Sequence, residues 1–367
     1  MNGAAGAPAA AATASVPKAL HDVLVTRSRR DAPSAADGGA RALARVPRVM
    51  HIIWMQGAAA LPAKLQPFMD ANVAFARAHG WTLRVWDALG IEALLHSPAV
   101  PPHWAAKYAA LPRLHQRVDL GRYVILYVHG GLSVDADARV VADPLASPTI
   151  AAAVAVVAPT SGCGVTVMST SAGGKAHAWL MTLGGWRVHV NNAIILTTPR
   201  RPEWRAFIDS IPTAPPRSLA VPPSPSGVAL AAALGASAGA RAGLEVAMTT
   251  GPIFFTSYWL PVAARGGAAI VPSDILEPCG AGGCATSART CVIHEHALSW
   301  LPQRAVRVVR ALARAPPWAA AAVAAVVLLL LVVAAAAVLR RPRPLAAGVQ
   351  LQASARGRVV RTQSASF

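Results

Sequence analysis

Residues 115–143 read HQRVDLGRYVILYVHGGLSVDADARVVAD and contain the pattern that decides the fold. They predict a short apolar helix, a Gly130-Gly131 break, a brief strand, and two aspartates, Asp135 and Asp137, one residue apart. Because side chains alternate between faces along a strand, we expect the two carboxylates to project to the same side. Paired carboxylates suit a hard divalent cation, so the stretch predicts a metal site at the end of a strand.

The segment before this stretch predicts a strand, a helix and a second strand. Residues 49–54 form a short apolar run followed by Gly57, which is typical of a buried strand. Residues 61–78 then have a helical pattern, and residues 82–87 predict the second strand. A strand, a helix and a strand at this spacing indicate a βαβ unit, and therefore an α/β fold with a mainly parallel sheet flanked by helices.

The helix inside the central stretch carries one continuous apolar stripe, which we expect to pack on the sheet. The stripe consists of Leu114, Val118, Gly121, Ile125 and Val128. Asp119 and Arg122 lie on a different face, three residues apart, and can pair across one turn of the helix.

The sequence after residue 143 contains further predicted elements and one segment without a regular pattern. Residues 188–195 predict a strand, residues 203–208 a helix, and residues 249–255 a turn that opens an apolar helix. Between them, residues 213–244 contain PPRS, PPSPS and an alanine- and glycine-rich patch. That composition indicates a linker or surface insertion with little regular structure.

The two ends of the chain differ from its middle in charge and hydropathy. The net charge of +18 comes mostly from residues 1–48 and 301–367, and the mean hydropathy of +0.43 exceeds that of an ordinary soluble domain. Residues 318–339 carry no charge, and a helix of that length spans about 33 Å, enough to cross a bilayer. Basic flanks beside such a run favour anionic lipid head groups, and we expect no nucleic-acid partner.

These observations divide the chain into five predicted regions. They are a disordered segment at 1–45, a globular domain at 46–300 with the 213–244 insertion, a basic juxtamembrane segment at 301–317, a transmembrane helix at 318–339 and a basic tail at 340–367. The first region has no apolar stretch behind a charged start, so a conventional signal peptide is not predicted. Its arginine-rich character faintly resembles an organelle transit peptide.

The four cysteines leave their chemical state open. Cys279, Cys284 and Cys291 have a spacing that is not typical of zinc sites, and Cys163 lies far from them. Disulfides are reasonable if the domain faces an oxidising compartment, and free buried thiols are the alternative.

The central stretch resembles the sugar-binding region of the DxD-containing glycosyltransferases of family 32, which reads roughly D-x-x-R-Y-x-x-L-x-x-x-G-G-I-Y-x-D-x-D. The matching positions are Asp119, Arg122, Tyr123, Leu126, Gly130, Gly131, Leu132, Asp135 and Asp137. The opening P-x-x-x-H-x-x-W of that family is also present as Pro47, His51 and Trp54.

Further motifs are similar to one subgroup, the inositol phosphoceramide mannosyltransferases. Residues 250–259 read TGPIFFTSYW where the subgroup has T-G-P-L-F-x-S-x-x-W, and a D-P-L follows the central stretch at 143–145. The pair Asn191-Asn192 stands where the subgroup has Asn-Asp, and His294 precedes Ser299-Trp300 as in its H-x-x-x-x-S-W. The motifs occur in the same order over about residues 46–300.

The resemblance implies a GT-A type fold, a nucleotide-sugar donor and a retaining transfer. It implies that Mn²⁺ or Mg²⁺ is held by Asp137, that Asp135 contacts the metal or the ribose, and that His294 completes the diphosphate site. It also implies that Asp119 and Arg122 position the donor sugar. A plain helix pair is the alternative for the last two, because pairs at this spacing are common.

Other residues carried over from the resemblance are less specific. Gly131 belongs to the donor-binding set, and Asn191 and Asn192 are candidate catalytic residues. Trp54 and Trp86 are candidates to line the nucleobase pocket, although buried tryptophans are commonly core residues.

The function that the resemblance implies is mannosyl transfer from GDP-mannose to an inositol phosphoceramide-like membrane lipid, by a single-pass Golgi membrane protein. An alternative within the class is another α-glycosyltransferase acting on protein glycans or polysaccharide. Ser133 replaces the usual aromatic residue and Asn192 replaces aspartate, so an alternative of another class is a catalytically silent lectin or regulatory subunit. No nucleophile is evident, which leaves double displacement and front-face attack both open.

Overall fold

The structure is a computed structural model that describes residues 33–157, 164–171, 188–213, 238–280 and 283–295. Its strands are β1 Val49–Ile53, β2 Thr82–Trp86, β3 Gly131–Ser133, β4 Ala138–Val140, β5 Thr166–Thr170, β6 Val190–Thr197, β7 Ala269–Val271, β8 Cys279–Gly280, β9 Gly283–Cys284 and β10 Val292–His294. Its helices are α1 Pro33–Leu43, α2 Gln66–His79, α3 Ala88–Leu95, α4 His103–Ala110, α5 Leu114–His129, α6 Pro148–Val157, α7 Pro202–Ser210, α8 Ala238–Thr249, α9 Pro252–Ala264 and α10 Ser273–Leu276.

A six-stranded sheet lies at the centre of the described part, in the order β2-β1-β3-β6-β5-β7. Every neighbouring pair is parallel except those of β6, which runs antiparallel to both β3 and β5. The small pairs β4–β10 and β8–β9 lie outside this sheet. The prediction of a mainly parallel α/β sheet is confirmed, and the mixed sheet is consistent with a GT-A type fold.

Hydrophobic side chains pack on both faces of the sheet. Along β1, Met50 and Ile52 belong to one core cluster and Ile53 to the other, as the alternation of a strand requires. One cluster is built with α1, α2 and α6. The other surrounds α5 and is dominated by aromatic rings, among them Trp104, Tyr123, Trp204, Phe207, Phe255 and Trp259.

The predicted stripe on α5 does not act as a single face against the sheet. Leu114 at its start is 47% exposed, and a Cβ on Gly121 would lie 3.0 Å from the side chain of Ile91 in α3. The helix contacts α3, α4, α7 and α8 as well as β1 and β3, so residues 119–127 are buried on all sides. A helix enclosed in this way has no single apolar face.

Order begins earlier than predicted, because α1 lies inside the segment 1–45 for which disorder was expected. The backbone of α1 approaches α6 so closely that a Cβ on Gly39 would lie 1.9 Å from the carbonyl oxygen of Ala151. Leu43 at the end of α1 is fully buried. The small residues that made this segment resemble low-complexity sequence here permit close helix packing.

Two other predicted regions fall partly or wholly outside the described ranges. Helix α8 begins at Ala238, inside the predicted 213–244 insertion, and residues 214–237 are not described. The predicted transmembrane helix at 318–339 and its basic flanks at 301–317 and 340–367 also lie outside. Within the part of the chain that the structure describes, no helix is long and apolar enough to span a bilayer.

Candidate active site

The paired aspartates lie just after a strand, as predicted, but they belong to the loop between β3 and β4, so strand alternation does not set the direction of their side chains. Strand β3 ends at Ser133 and β4 begins at Ala138, whose N–H donates to the carbonyl of Asp135 at 3.0 Å. Strand β4 pairs antiparallel with β10, and Ala138 lies opposite His294 in this ladder. The pairing continues into the loop, where the carbonyl of Asp137 accepts from the N–H of Glu295 at 3.1 Å. The pairing of β4 with β10 therefore brings residues 292–295 beside the two aspartates.

The three predicted metal ligands come together at this point. The Nε2 atom of His294 lies 3.1 Å from Oδ1 of Asp137 and 3.8 Å from Oδ2 of Asp135. One ligand atom from each of the three residues lies within 4.8 Å of the other two. Two carboxylate oxygens and an imidazole nitrogen at this separation form a donor set that Mn²⁺ or Mg²⁺ can use.

Arg122 links this group to the interior of the domain. Its guanidinium is buried, forms an ion pair with Asp135, and lies 3.3 Å from Asp119. It also donates to the backbone carbonyl of Asn192 at 2.9 Å. Because Arg122 binds Oδ1 of Asp135, the other oxygen of that carboxylate is left on the side of His294.

Asp119 is enclosed by donors from three parts of the chain. Besides Arg122, it accepts from the side-chain amide of Asn192 at 3.0 Å and from the hydroxyl of Thr250 at 3.0 Å. The same amide donates to the hydroxyl of Tyr123 at 2.8 Å, and that hydroxyl donates to the carbonyl of Thr250 at 2.7 Å. The network ties α5 to β6 and to the junction between α8 and α9.

The structure gives a physical reason for asparagine at position 192. A carboxylate there would face Asp119 at hydrogen-bond distance, and two buried carboxylates in contact repel each other. The amide of Asn192 instead donates to Asp119 and to Tyr123. Ser133 is buried at the end of β3, opposite His51 of β1 and Ile195 of β6.

Sequence reasoning missed Glu277, which completes the site from the end of α10. Its Oε1 lies 2.9 Å from Nδ1 of His294, and the side-chain amide of Asn191 donates to the same oxygen. Glu277 is fully buried. A lone glutamate before Pro278 has no sequence signal of its own, and its role depends on a fold contact with a residue 17 positions away.

Burial and mutual charge shift the titration of these groups. Burial raises the pKa of Asp119 to about 6, although Arg122 opposes the shift. Burial also raises the pKa of Glu277 to about 7. For His294 burial lowers the pKa, but the hydrogen bonds with Asp137 and Glu277 outweigh it and raise the value to about 10. The site thus concentrates carboxylates whose charge is only partly balanced by protein cations, which favours binding of a further cation.

The structure gives Gly131, Trp54 and Trp86 intramolecular contacts, and their predicted contacts with a donor stay predictions. Gly131 has a φ of 86°, and a Cβ there would lie 2.3 Å from the carbonyl oxygen of Val49, so glycine is required by the backbone. Trp54 donates to the carbonyl of Ala60 at 3.2 Å, within its own loop.

Trp86 is buried and donates to Nδ1 of His51 at 3.1 Å. Its ring lies beside that of His129, with centroids 5.4 Å apart and the planes tilted by 40°, and Arg84 lies over its ring. Trp86, His129 and Arg84 line an open cleft of about 450 Å³ whose lining does not include Asp135, Asp137 or His294. In the described hydrogen bonds and ring contacts, Trp86 therefore does not reach the candidate metal ligands.

The cysteines adopt both of the states that the sequence left open. Cys279 and Cys284 form a disulfide between β8 and β9, two residues after Glu277. Cys291 is a buried free thiol just before β10. Cys163 lies outside the described residues.

Comparison with known proteins supports the general class. No protein-family model matches the chain. The chain is 28% identical over 92 residues to an uncharacterized glycosyltransferase of Acanthamoeba polyphaga mimivirus, an alignment that covers 25% of this chain and 36% of that protein. The chain thus matches about a third of the length of this relative. The similarity supports a glycosyltransferase in general, without distinguishing family 32, a donor sugar or an acceptor.

Proposed function

We propose that the chain is a metal-dependent glycosyltransferase that uses a nucleotide-sugar donor. The observation that carries the proposal is the meeting of Asp135, Asp137 and His294 from two distant parts of the chain. Departure of a nucleoside diphosphate builds negative charge on the leaving phosphate, and a bound divalent cation supplies the neutralising charge. The donor set fits Mn²⁺ or Mg²⁺, since it consists of two carboxylates and one imidazole.

The remaining residues of the site hold these ligands in place. Arg122 binds one oxygen of Asp135 and leaves the other toward His294. Asp119 forms an ion pair with Arg122 and accepts hydrogen bonds from Asn192 and Thr250. We propose that Asp119 and Arg122 act on the donor sugar chiefly by this positioning, since most of their polar atoms already have protein partners.

The finer assignment is mannosyl transfer, with retention, from GDP-mannose to an inositol phosphoceramide-like lipid. It rests on the ordered motifs, especially TGPIFFTSYW at 250–259 and the Asn191-Asn192 pair. The apolar run at 318–339 and its basic flanks support a single-pass anchor beside a phosphate-bearing lipid acceptor, in the Golgi membrane. Trp54 and Trp86 stay the candidates to line the nucleobase pocket, and Gly131 serves the site through the backbone that it allows.

A thermal-shift screen tests this assignment. The purified chain is heated with GDP, UDP and their sugars, each with and without Mn²⁺. A ligand at about 100 times its Kd stabilises the folded state by about 2.7 kcal/mol, so GDP or GDP-mannose with Mn²⁺ should raise the Tm clearly. Stabilisation by UDP-sugars alone would favour another α-glycosyltransferase of the class. No metal-linked stabilisation by any nucleotide would contradict the proposal and favour a silent lectin or regulatory subunit.

A further inference from the structure

His294 is held from both sides of its ring. Its Nε2 faces the candidate metal position, 3.1 Å from Asp137 and 3.8 Å from Asp135. Its Nδ1 lies 2.9 Å from Glu277 on the opposite edge. The ring is also buried, so it has little freedom to turn away from this alignment.

Side-chain and backbone contacts both hold Glu277 in place. Asn191 on β6 donates to the oxygen that faces His294. The backbone N–H of Glu277 donates to the carbonyl of Ser273 at 2.7 Å, which ends α10. The disulfide that begins at Cys279 follows two residues later. These contacts hold Glu277 at the end of α10 and direct its carboxylate at the imidazole of His294.

Burying a carboxylate is costly in the absence of a specific use. Removal of a carboxylate from water is unfavourable even after the protein relaxes, and an apolar side chain of similar size would pack without that cost. Glu277 is fully buried, and its described contacts run to His294 and Asn191. The position thus keeps a carboxylate where its acceptor oxygen is directed at a candidate ligand.

We propose that Glu277 is a positioning residue that makes His294 a metal ligand, and that Asn191 orients Glu277 in turn. When Glu277 accepts the Nδ1 proton, Nε2 is the ring nitrogen that faces Asp135 and Asp137, and a bound cation would take the place of the proton on Nε2. Metal-binding histidines commonly have such a carboxylate partner, and loss of the partner weakens metal affinity about 10- to 100-fold. The inference rests on the proposed metal-dependent function and adds two residues to its site.

The test measures Mn²⁺ affinity directly, by titration of the full chain with detection of free Mn²⁺ by electron paramagnetic resonance. Glu277→Gln keeps the size and an acceptor oxygen but removes the charge, whereas Glu277→Leu removes the acceptor as well. We expect the Leu variant to bind Mn²⁺ about 10- to 100-fold more weakly and the Gln variant to lie between it and wild type. Glu203→Gln is the matched control, because Glu203 is part-buried and paired with Arg201 at 2.9 Å.

A second measurement separates positioning from a purely structural role. With GDP-mannose as donor, the Mn²⁺ concentration for half-maximal hydrolysis should rise in Glu277→Gln, while kcat at saturating Mn²⁺ returns close to the wild-type value. A folded Gln variant, verified by circular dichroism, that binds Mn²⁺ as tightly as wild type would overturn the inference even if its Tm were lower. Failure of the wild-type chain to bind Mn²⁺ would instead overturn the proposed function together with this inference.

Discussion

Arg122 is the cation on which the buried part of the site depends. Arg122→Met keeps much of the side-chain volume but removes the guanidinium from Asp119, Asp135 and the carbonyl of Asn192. Removal of one partner of a buried ion pair costs about 3–5 kcal/mol, because the other charge is left uncompensated. The pKa of Asp119 is already raised to about 6, so this carboxyl can take up a proton when its cation is lost. We therefore expect Arg122→Met to lower the free energy of unfolding by about 3 kcal/mol at pH 7, the lower end of this range.

The raised pKa of Asp119 also sets how the destabilisation by Arg122→Met changes with pH. Below about pH 6 the carboxyl of Asp119 is protonated in the folded chain, and it no longer needs the charge of Arg122. The destabilisation by Arg122→Met should thus be smaller at pH 5 than at pH 7 and should grow as the pH rises. Only the hydrogen bonds and packing of the guanidinium would still be lost at the lower pH.

Urea unfolding followed by tryptophan fluorescence measures both quantities, since the chain contains 10 tryptophans. Arg289→Met is the matched control, because Arg289 pairs with Asp274 at 2.7 Å but its side chain is 55% exposed. Exposed pairs contribute about 0–1 kcal/mol, so this variant should be nearly as stable as wild type. The reasoning would be refuted if Arg122→Met cost no more than the control, or if its cost did not change between pH 5 and pH 7.

Two further predictions concern the backbone that carries the site. Gly131→Ala should lower the free energy of unfolding by about 2 kcal/mol or more, because the left-handed φ alone costs about 1–2 kcal/mol and a Cβ would meet the carbonyl of Val49. The control is Gly38→Ala, which has open space around it and should not lower the free energy of unfolding in the same urea experiment. Cys284→Ala opens the short disulfide loop and should cost about 2 kcal/mol. Reduction of the wild type with dithiothreitol should reproduce that loss, and an unchanged urea midpoint would contradict it.

Local sequence patterns predicted the elements whose signal is contained in a few neighbouring residues. The strand, helix and strand that became β1, α2 and β2 have clear periodicity, and the aspartate pair lies in one contiguous motif with Arg122. The face of α5 could not be predicted, because a helix enclosed by four others and a sheet buries residues on every side, including the charged Asp119 and Arg122. The alanines and glycines of α1 likewise gave no periodic signal, although they pack closely against α6.

The parts of the site that escaped prediction depend on contacts between distant segments. Strands β4 and β10 have three residues each, too few for a pattern, yet their pairing places His294 beside Asp137. Glu277 acquires its role only through His294 and Asn191. From the sequence, Asn192 was a departure from an expected aspartate; in the fold it is a donor to a neighbouring carboxylate.

The most direct test of the central claim is the Mn²⁺-dependent turnover of GDP-mannose by wild type and by Asp137→Ala. Asp137 contributes an oxygen to the candidate metal position, and loss of one group that stabilises a developing anion commonly lowers kcat by about 10²- to 10³-fold. The control is Asp70→Ala, an exposed aspartate on α2. We predict Mn²⁺-dependent turnover in wild type and in the control, and a loss of at least about 100-fold in Asp137→Ala. Equal turnover by all three proteins would contradict the proposed metal site.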